Sequence, residues 1–296
     1  MAQDGPWTIG RLLQWTTEHF KKSGSLSPRL DAEVLLAHVR GCQRIELYTS
    51  FGEIPGEEVL GPFRSLVKRR AAGEPVAYMV GFREFYSLRF EVTPDVLIPR
   101  PETEFVVIRL LDAAKELGST TARLQILDVG TGSGVLAVCA AKHLPNAQVT
   151  AVDWSPASLE VARRNVAHHG VSERVRLLQS DLLAALPEDA NWDFIISNPP
   201  YVSEAEYTGL SHEVRGYEPR LALVGGPTGT ELISRLVTET LPRLRPQGRL
   251  IMEISPMIAE RTRAILTDSG GFDTPEILPD LAGLARVISA RRSPAT

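Results

Sequence analysis

The chain has 296 residues, a formal net charge of −4, 43% hydrophobic residues and 23% charged ones. This suits one large or two ordinary globular domains and excludes a disordered or fibrous chain, while the balance of charge supplies no overall field toward nucleic acid. Cys42 and Cys139 are the two cysteines, and with six histidines they form neither a disulfide framework nor a metal-ligand spacing, so no metal is expected. No apolar run approaches the ~20 residues of a membrane span. Residues 1–10 hold an acid and no apolar signal core, so a cytoplasmic location is expected.

Thr8 is a natural N-cap for a first helix, with Ile9, Leu12, Leu13, Trp15 and Phe20 inward and Ser23-Gly24-Ser25 at its end. Ser27-Pro28 opens a second helix with the stripe Leu30, Val34, Leu35 and His38, closed by Gly41. A short helix over Ile45 to Phe51 follows. Another runs from Glu57 to Ala72, with Val59, Leu60, Phe63, Leu66 and Val67 inward. Together they predict a helical bundle over residues 1–74. Lys68-Arg69-Arg70 reads as a solvated helix end, cations near the negative pole of the dipole, more readily than as a nucleic-acid contact. Residues 1–98 hold 12 Lys+Arg and 12 Asp+Glu, so this region is not basic as a nucleic-acid grip would be.

From Pro75 the period changes. Val76 to Val80 and Glu84 to Val92 read as two strands with Gly81 between them, a hairpin that spans residues 75–98 and links the two domains. Pro101 then sets the first turn of a helix, with Glu102 and Glu104 at its positive end. It is expected to bury Phe105, Val106, Ile108, Leu110 and Leu111 and to end at Gly118.

The remainder, residues 99–296, reads as an α/β domain. Leu124 to Val129 is a buried strand running into Gly130-Thr131-Gly132-Ser133-Gly134 and the helix Val135 to His143. Strand, glycine turn and helix make a nucleotide-type site, because glycines let the backbone approach a ligand and the helix start favours an anion. Gly-x-Gly-x-Gly leaves no room for a pyrophosphate. It suits S-adenosylmethionine better, whose carboxylate is its one anionic group. The strand Gln148 to Val152 ends in Asp153, an acceptor for ribose hydroxyls, with Trp154 beside the adenine. The strand Arg174 to Gln179 ends near Asp181, an acceptor for the adenine amino group, with Leu182 over the ring. Each acid alone reads equally well as a loop cap. Acids ending three successive strands, Asp128, Asp153 and Asp181, point together to one cofactor.

The strand Asp193 to Ser197 delivers Asn198-Pro199-Pro200-Tyr201 to the same end of the sheet, beside the glycine loop. Proline cannot join a sheet ladder and holds its predecessor extended, so the strand stops in a stiff loop. The Asn198 side-chain oxygen and the Pro199 carbonyl are two fixed acceptors for a planar NH2 group, with Tyr201 to wall the pocket. Next comes a long polar segment, 202–231, of a length that is uncommon unless functional; it is expected to shape a substrate groove. A helix from Thr230 to Leu241, a strand from Arg249 to Ile254, a helix from Pro256 to Asp268, and strands near 275–278 and 285–290 complete the chain.

With these residues in place, the chain resembles the release factor glutamine methyltransferases over nearly its whole length. The resemblance rests on Gly73-Glu74-Pro75-Val76-Ala77-Tyr78, Gly81-Phe82-Arg83-Glu84-Phe85, Leu97-Ile98-Pro99-Arg100-Pro101-Glu102-Thr103-Glu104, the glycine turn after Asp128, Ser197 to Tyr201, and Glu218-Pro219-Arg220-Leu221-Ala222-Leu223. It implies a seven-stranded Rossmann-like, S-adenosylmethionine-dependent methyltransferase domain, preceded by a helical bundle that recognises the release factor. It also implies N5-methylation of the glutamine in the Gly-Gly-Gln loop of class 1 peptide chain release factors. Asn198, Pro199 and Tyr201 would carry the transfer, and Pro200 and Arg100 would join them in binding substrate. A protein substrate, no nucleic acid or membrane, and a monomeric enzyme are expected. Two places depart from the family pattern: Glu253-Ile254-Ser255-Pro256-Met257-Ile258 stands where Glu-Ile-Gly and a later Gln are usual, and Leu182 stands where an aromatic is common. The residues alone leave two other readings open, a methyltransferase of nucleic-acid amino groups and a non-catalytic S-adenosylmethionine-binding protein.

Overall fold

A computed structural model of the protein describes residues 5–118 and 123–294. The chain divides into two compact units, Met1–Gly81 with Ser211–Tyr217, and Phe82–Leu210 with Glu218–Thr296. Among the described residues no helix is long and apolar enough to cross a membrane.

The first unit contains helices α1 (Ile9–Lys22), α2 (Pro28–Arg40), α3 (Glu46–Thr49), α4 (Glu57–Ala71) and α5 (Val76–Val80). The Thr8 side chain accepts from the Arg11 N–H, and Gly41 closes α2 in the left-handed conformation. Ile9, Leu13, Phe20, Leu35, Leu36 and Phe63 form the core. Two inward faces differ from expectation. Trp15 is half exposed, and Leu30 and His38 of α2 face outward. Asp31 and Glu33 are buried instead. Asp31 accepts from Arg70 Nε at 2.8 Å, and Glu33 from Arg29 Nε at 2.6 Å and Arg44 Nη2 at 2.8 Å. Arg70 is itself buried and pairs with Glu213 at 2.9 Å. The basic run is therefore not a uniformly solvated helix end, because its last cation is desolvated between two carboxylates.

Val76–Val80 is a helix and not a strand. Pro75 enters it in an extended conformation and Gly81 ends it at φ 81°, so Gly81 is a helix stop and turns no hairpin. The hairpin lies wholly beyond it, with β1 (Phe82–Phe85) paired to β2 (Leu88–Glu91). Its two-residue turn is Tyr86-Ser87, both at positive φ (49° and 60°), as a type I′ turn requires. The Tyr86 N–H is held by Glu104 Oε1 at 2.8 Å.

The second unit continues with α6 (Glu104–Glu116), β3 (Gln125–Val129), α7 (Val135–His143), β4 (Gln148–Asp153), α8 (Pro156–His168), β5 (Val175–Gln179) and β6 (Trp192–Ser197). After the segment from β7 (Val202–Ser203) through α9 (Glu204–Gly209), α10 (His212–Tyr217, in the first unit) and β8 (Val224–Gly226) come α11 (Glu231–Thr240), β9 (Leu244–Glu253), α12 (Ala259–Asp268), β10 (Glu276–Pro279) and β11 (Ala285–Arg291). On α6 the buried face is Val106, Val107, Leu110, Ala113 and Ala114, with Ile108 outward. Arg109 takes the inward place beside it, paired with Glu116 and Glu276 at 2.8 and 3.0 Å.

The expected seven-stranded sheet is present, in the order β10-β11-β9-β6-β3-β4-β5. Strands β9, β6, β3, β4 and β5 pair in parallel, and β11 runs antiparallel to both its neighbours. Alternation places Ile126, Phe194 and Ile196 in one core layer and Leu127, Val129 and Ile195 in the other, so both faces are covered and the strands read as apolar runs. From β3 the chain winds one way to β4 and β5, then returns to β6 on the other side. That reversal between β3 and β6 is where open α/β sheets bind ligands.

Candidate active site

At the C-terminal end of β3 the chain turns through Gly130, Gly132 and Gly134, at φ 73°, 54° and 84°. The Gly130 and Thr131 N–H groups both donate to the Val152 carbonyl at 2.9 Å, folding the loop against β4. A Cβ on Gly130 or Gly132 would meet no atom within 4 Å. The positive φ demands glycine, and the space it leaves is open for a ligand. Behind the loop, Asn165 of α8 donates from Nδ2 to the carbonyls of Ser133 and Glu91 at 2.8 and 3.0 Å, and its Oδ1 accepts from the Glu91 N–H. One buried amide thus ties hairpin and glycine turn together.

Asp128 is fully buried. Its Oδ2 accepts from Thr131 Oγ1 at 2.6 Å and from the Ala137 N–H at 3.1 Å, whereas Oδ1 has no partner among the described residues. Burial pushes its carboxyl up to about 7, against the pull of those two bonds. Asp153 is half-buried, and its oxygens accept from the Gly132 and Ser155 N–H groups at 2.8 and 2.9 Å. Burial raises its pKa, and the two N–H groups draw it back.

These elements wall a cavity of about 400 Å³. Gly130, Thr131, Gly132, Ser133, Asp153, Trp154, Asp181, Leu182, Asn198 and Pro200 all line it. Asp128, Gly134, Pro199, Tyr201 and Arg100 do not. Asp128 shapes the loop from behind, and Gly134 begins α7 with Ala162 Cβ 3.3 Å from where its own Cβ would be. Leu182 sits at φ 46°, an unusual conformation for a leucine, at the cavity lip. Asp181 pairs with Arg235 at 3.0 Å, both partly exposed. Asp95, Val96, Leu97 and Thr103 before α6, Pro219, Leu221 and Ala222 of the long 202–231 segment, and Arg235 of α11 also line it.

The volume falls within the ~300–1,000 Å³ typical of small-molecule sites. The charged lining consists of Asp95, Asp153, Asp181 and one arginine, itself paired with Asp181. No cation there is available to a pyrophosphate. S-adenosylmethionine carries a sulfonium and an ammonium against one carboxylate, and this acid-rich cavity with a helix start at one end suits that balance.

The acceptor side is built from three remote segments. Ser197 Oγ donates to the Val129 carbonyl at 2.7 Å, locking the ends of β6 and β3 together. Asn198 Nδ2 donates to Thr103 Oγ1 at 3.1 Å, and Thr103 Oγ1 donates to Glu253 Oε2 at 2.5 Å. The Tyr201 hydroxyl donates to Glu253 Oε1 at 2.9 Å. Tyr201 therefore anchors the loop and does not wall the cavity. Burial raises the Glu253 pKa, and the Thr103 and Tyr201 bonds oppose the rise. The loop is backed closely by Gly225, where a Cβ would lie 2.2 Å from the Pro200 carbonyl oxygen. Arg100 is paired with Glu218, whose other oxygen accepts from the Ile98 N–H at 3.1 Å. Thr103, Asn165, Glu218, Arg235 and Glu253 all serve this site, and sequence reasoning assigned none of them a role. Thr103 and Glu218 lie inside stretches that carry the family resemblance, which was the available signal.

A family model described as the PrmC N-terminal domain matches residues 11–81, and one described as a methyltransferase small domain matches residues 109–214. A release factor glutamine methyltransferase of Rhodopirellula baltica is 52% identical over 292 residues, 99% of each chain. One from Chlorobaculum tepidum is 42% identical, covering 98% of this chain and 99% of that one. Among solved structures, a methyltransferase from Pyrococcus furiosus aligns with a TM-score of 0.51 at 18% identity, over 77% of this chain and 98% of that one. That last likeness concerns the fold alone.

Proposed function

The chain belongs to the release factor glutamine methyltransferase family, and from that premise we propose that it methylates the side-chain nitrogen (N5) of the glutamine in the Gly-Gly-Gln loop of class 1 peptide chain release factors, supporting translation termination. The observation that carries this reading is the placement of Asn198 beside the glycine turn, across the β3/β6 reversal, with its NH2 spent on Thr103. S-adenosylmethionine, when bound, supplies an electrophilic methyl group on sulfur. Gly130, Thr131, Gly132, Ser133, Asp153, Trp154, Asp181 and Leu182 hold it, and Asp128 fixes the loop they belong to.

A primary amide nitrogen is a poor nucleophile because its lone pair is delocalised into the carbonyl. The Asn198 side-chain oxygen, at the cavity wall, accepts one of its hydrogens and the carbonyl of Pro199, a buried residue next to it, the other, which orients the nitrogen and lets it pyramidalise. Such positioning is worth up to roughly 7–11 kcal/mol in favourable cases. Acceptors that fit the pyramidal, partly positive nitrogen best stabilise the transition state selectively. Arg100 and Pro200 contact the incoming loop, and the helical unit recognises the release factor. The chain acts as a monomer in the cytoplasm, without nucleic acid or membrane.

The test is transfer of radiolabelled methyl to purified release factor, compared with DNA and ribosomal RNA. Label is expected on the release factor glutamine. Label on nucleic acid, or on none of the three, refutes the proposal.

A further inference from the structure

We propose that Glu253 is a positioning residue for the transfer, which sets the direction of a hydrogen-bond relay so that Asn198 presents its oxygen, and not its NH2, to the substrate. This rests on the amide-methylation reading above. The two ends of an asparagine amide have nearly the same shape, so packing cannot choose which one faces the cavity. Only hydrogen-bond polarity can. An NH2 turned to the cavity would oppose the N–H groups of the substrate amide, donor against donor.

Glu253 is buried to 1% exposure, and each of its oxygens has a hydroxyl partner. In its ionised form, which the Thr103 and Tyr201 hydroxyls favour against the pull of burial, Glu253 has no hydrogen to give, so Thr103 donates to it. A threonine hydroxyl carries one hydrogen. Once that hydrogen lies on Glu253, Thr103 Oγ1 can only accept, and the group placed to donate is Asn198 Nδ2 at 3.1 Å. The Asn198 oxygen is then left for the cavity that the residue lines. Tyr201, at the other end of the same loop, uses the second carboxylate oxygen at 2.9 Å. One carboxylate on β9 therefore fixes the loop at both ends and the polarity of its acceptor.

The relay makes a prediction that a packing role does not. Glu253→Gln keeps the shape but introduces a donor. When that donor faces Thr103, the threonine hydrogen turns to Asn198 and favours the wrong amide orientation. Thr103→Val keeps the shape and removes the hydroxyl, whereas Thr103→Ser keeps the hydroxyl.

The measurement is single-turnover methyl transfer at saturating S-adenosylmethionine and release factor, with cofactor affinity by calorimetry and melting temperature recorded for every variant. Glu253→Gln and Thr103→Val should each slow transfer by on the order of 10²-fold, the scale of a small misplacement. Thr103→Ser should restore the rate. The Thr103→Val/Glu253→Gln double variant should match the slower single, and cofactor affinity should stay within about twofold, the spread of uncoupled sites. Wild-type rates in the two single variants, a Thr103→Ser protein as slow as Thr103→Val, or additive losses in the double variant overturn the relay. If Glu253→Gln does not fold, the Thr103→Val and Thr103→Ser pair decides alone. A wild-type protein that transfers no label to release factor overturns the amide reading itself, and the relay with it. An active wild type with a full-rate Thr103→Val overturns the relay only.

Discussion

Two buried carboxylates flank the strand that carries Asn198. In the sheet, β6 lies between β3, which contains Asp128, and β9, which ends in Glu253. Both acids are nearly inaccessible, and burial raises the pKa of each. They differ in their partners. Asp128 is bonded within nine residues of itself, to Thr131 and Ala137, and keeps one oxygen without a partner among the described residues. Glu253 has both oxygens occupied, by Thr103 and Tyr201, which lie 150 and 52 residues away. The first acid shapes a cofactor loop made from one stretch of chain. The second sets the polarity of an acceptor assembled from three. An incompletely satisfied buried acid stores a cost that a ligand or proton can relieve, whereas a satisfied one fixes geometry.

The largest expected effect separates the two sides of the cleft. Asn198→Ala removes the acceptor that Glu253 orients and leaves the Asp128 loop intact. The turnover number should fall by roughly 10²–10³-fold, as when one preorganised hydrogen-bonding group is lost from a reaction centre. Cofactor affinity by calorimetry should barely change. An unchanged single-turnover rate would contradict the positioning mechanism.

The next effect is specific to Asp128. Its folded-state carboxyl sits at about 7, above the ordinary aspartate value of 3.8. Between those values the folded chain holds a proton that the unfolded chain has released, so stability must fall as pH rises. The contribution is fully present below the lower value and lost once pH passes the upper one. The slope from this one group is at most about 1.4 kcal/mol per pH unit. Denaturant unfolding of cofactor-free protein from pH 5 to 7.5 should show a negative slope that Asp128→Asn flattens. Equal slopes in both proteins would mean that the buried acid is not the titrating group. Glu253 and Asp153 are also raised, so a smaller slope should survive in the variant.

The same contrast explains what was legible in the sequence. Strand ends, the glycine turn and Asn198 could be read because each depends on residue type and spacing within a few positions. By its residues alone Val76–Val80 reads as a strand, because a short apolar run is compatible with either state. The decision fell to its ends, where Pro75 enters and Gly81 stops a helical turn. The α2 stripe was displaced because Asp31 and Glu33 occupy the inner face, and Arg70, the cation that holds Asp31, lies 39 residues on. Thr103 and Glu253 meet only after β9 has been laid beside β6. No local pattern announces such a contact. The family resemblance covered the Thr103 stretch without saying what its hydroxyl does.

The smallest effect concerns the acid that is neither buried nor fully committed. Asp181 pairs with Arg235 at 3.0 Å, and their side chains are 40% and 51% exposed. Exposed pairs of this kind are worth ~0.2–1 kcal/mol and are screened by salt. Arg235→Ala should therefore shift the unfolding free energy by less than about 1 kcal/mol. The proposed role of Asp181, accepting from the adenine amino group, is independent of that pair. Asp181→Asn turns an acceptor-only group into one that can also face the ligand with a donor. Loss of one ordinary hydrogen bond, about 1 kcal/mol, corresponds to roughly a fivefold weaker cofactor affinity. Arg235→Ala should leave affinity unchanged or tighten it, because the carboxylate is released toward the cavity. If instead both variants weaken binding equally, the ion pair as a unit shapes the rim. Asp181 would then belong with Glu253, as an acid that acts through the neighbour it holds.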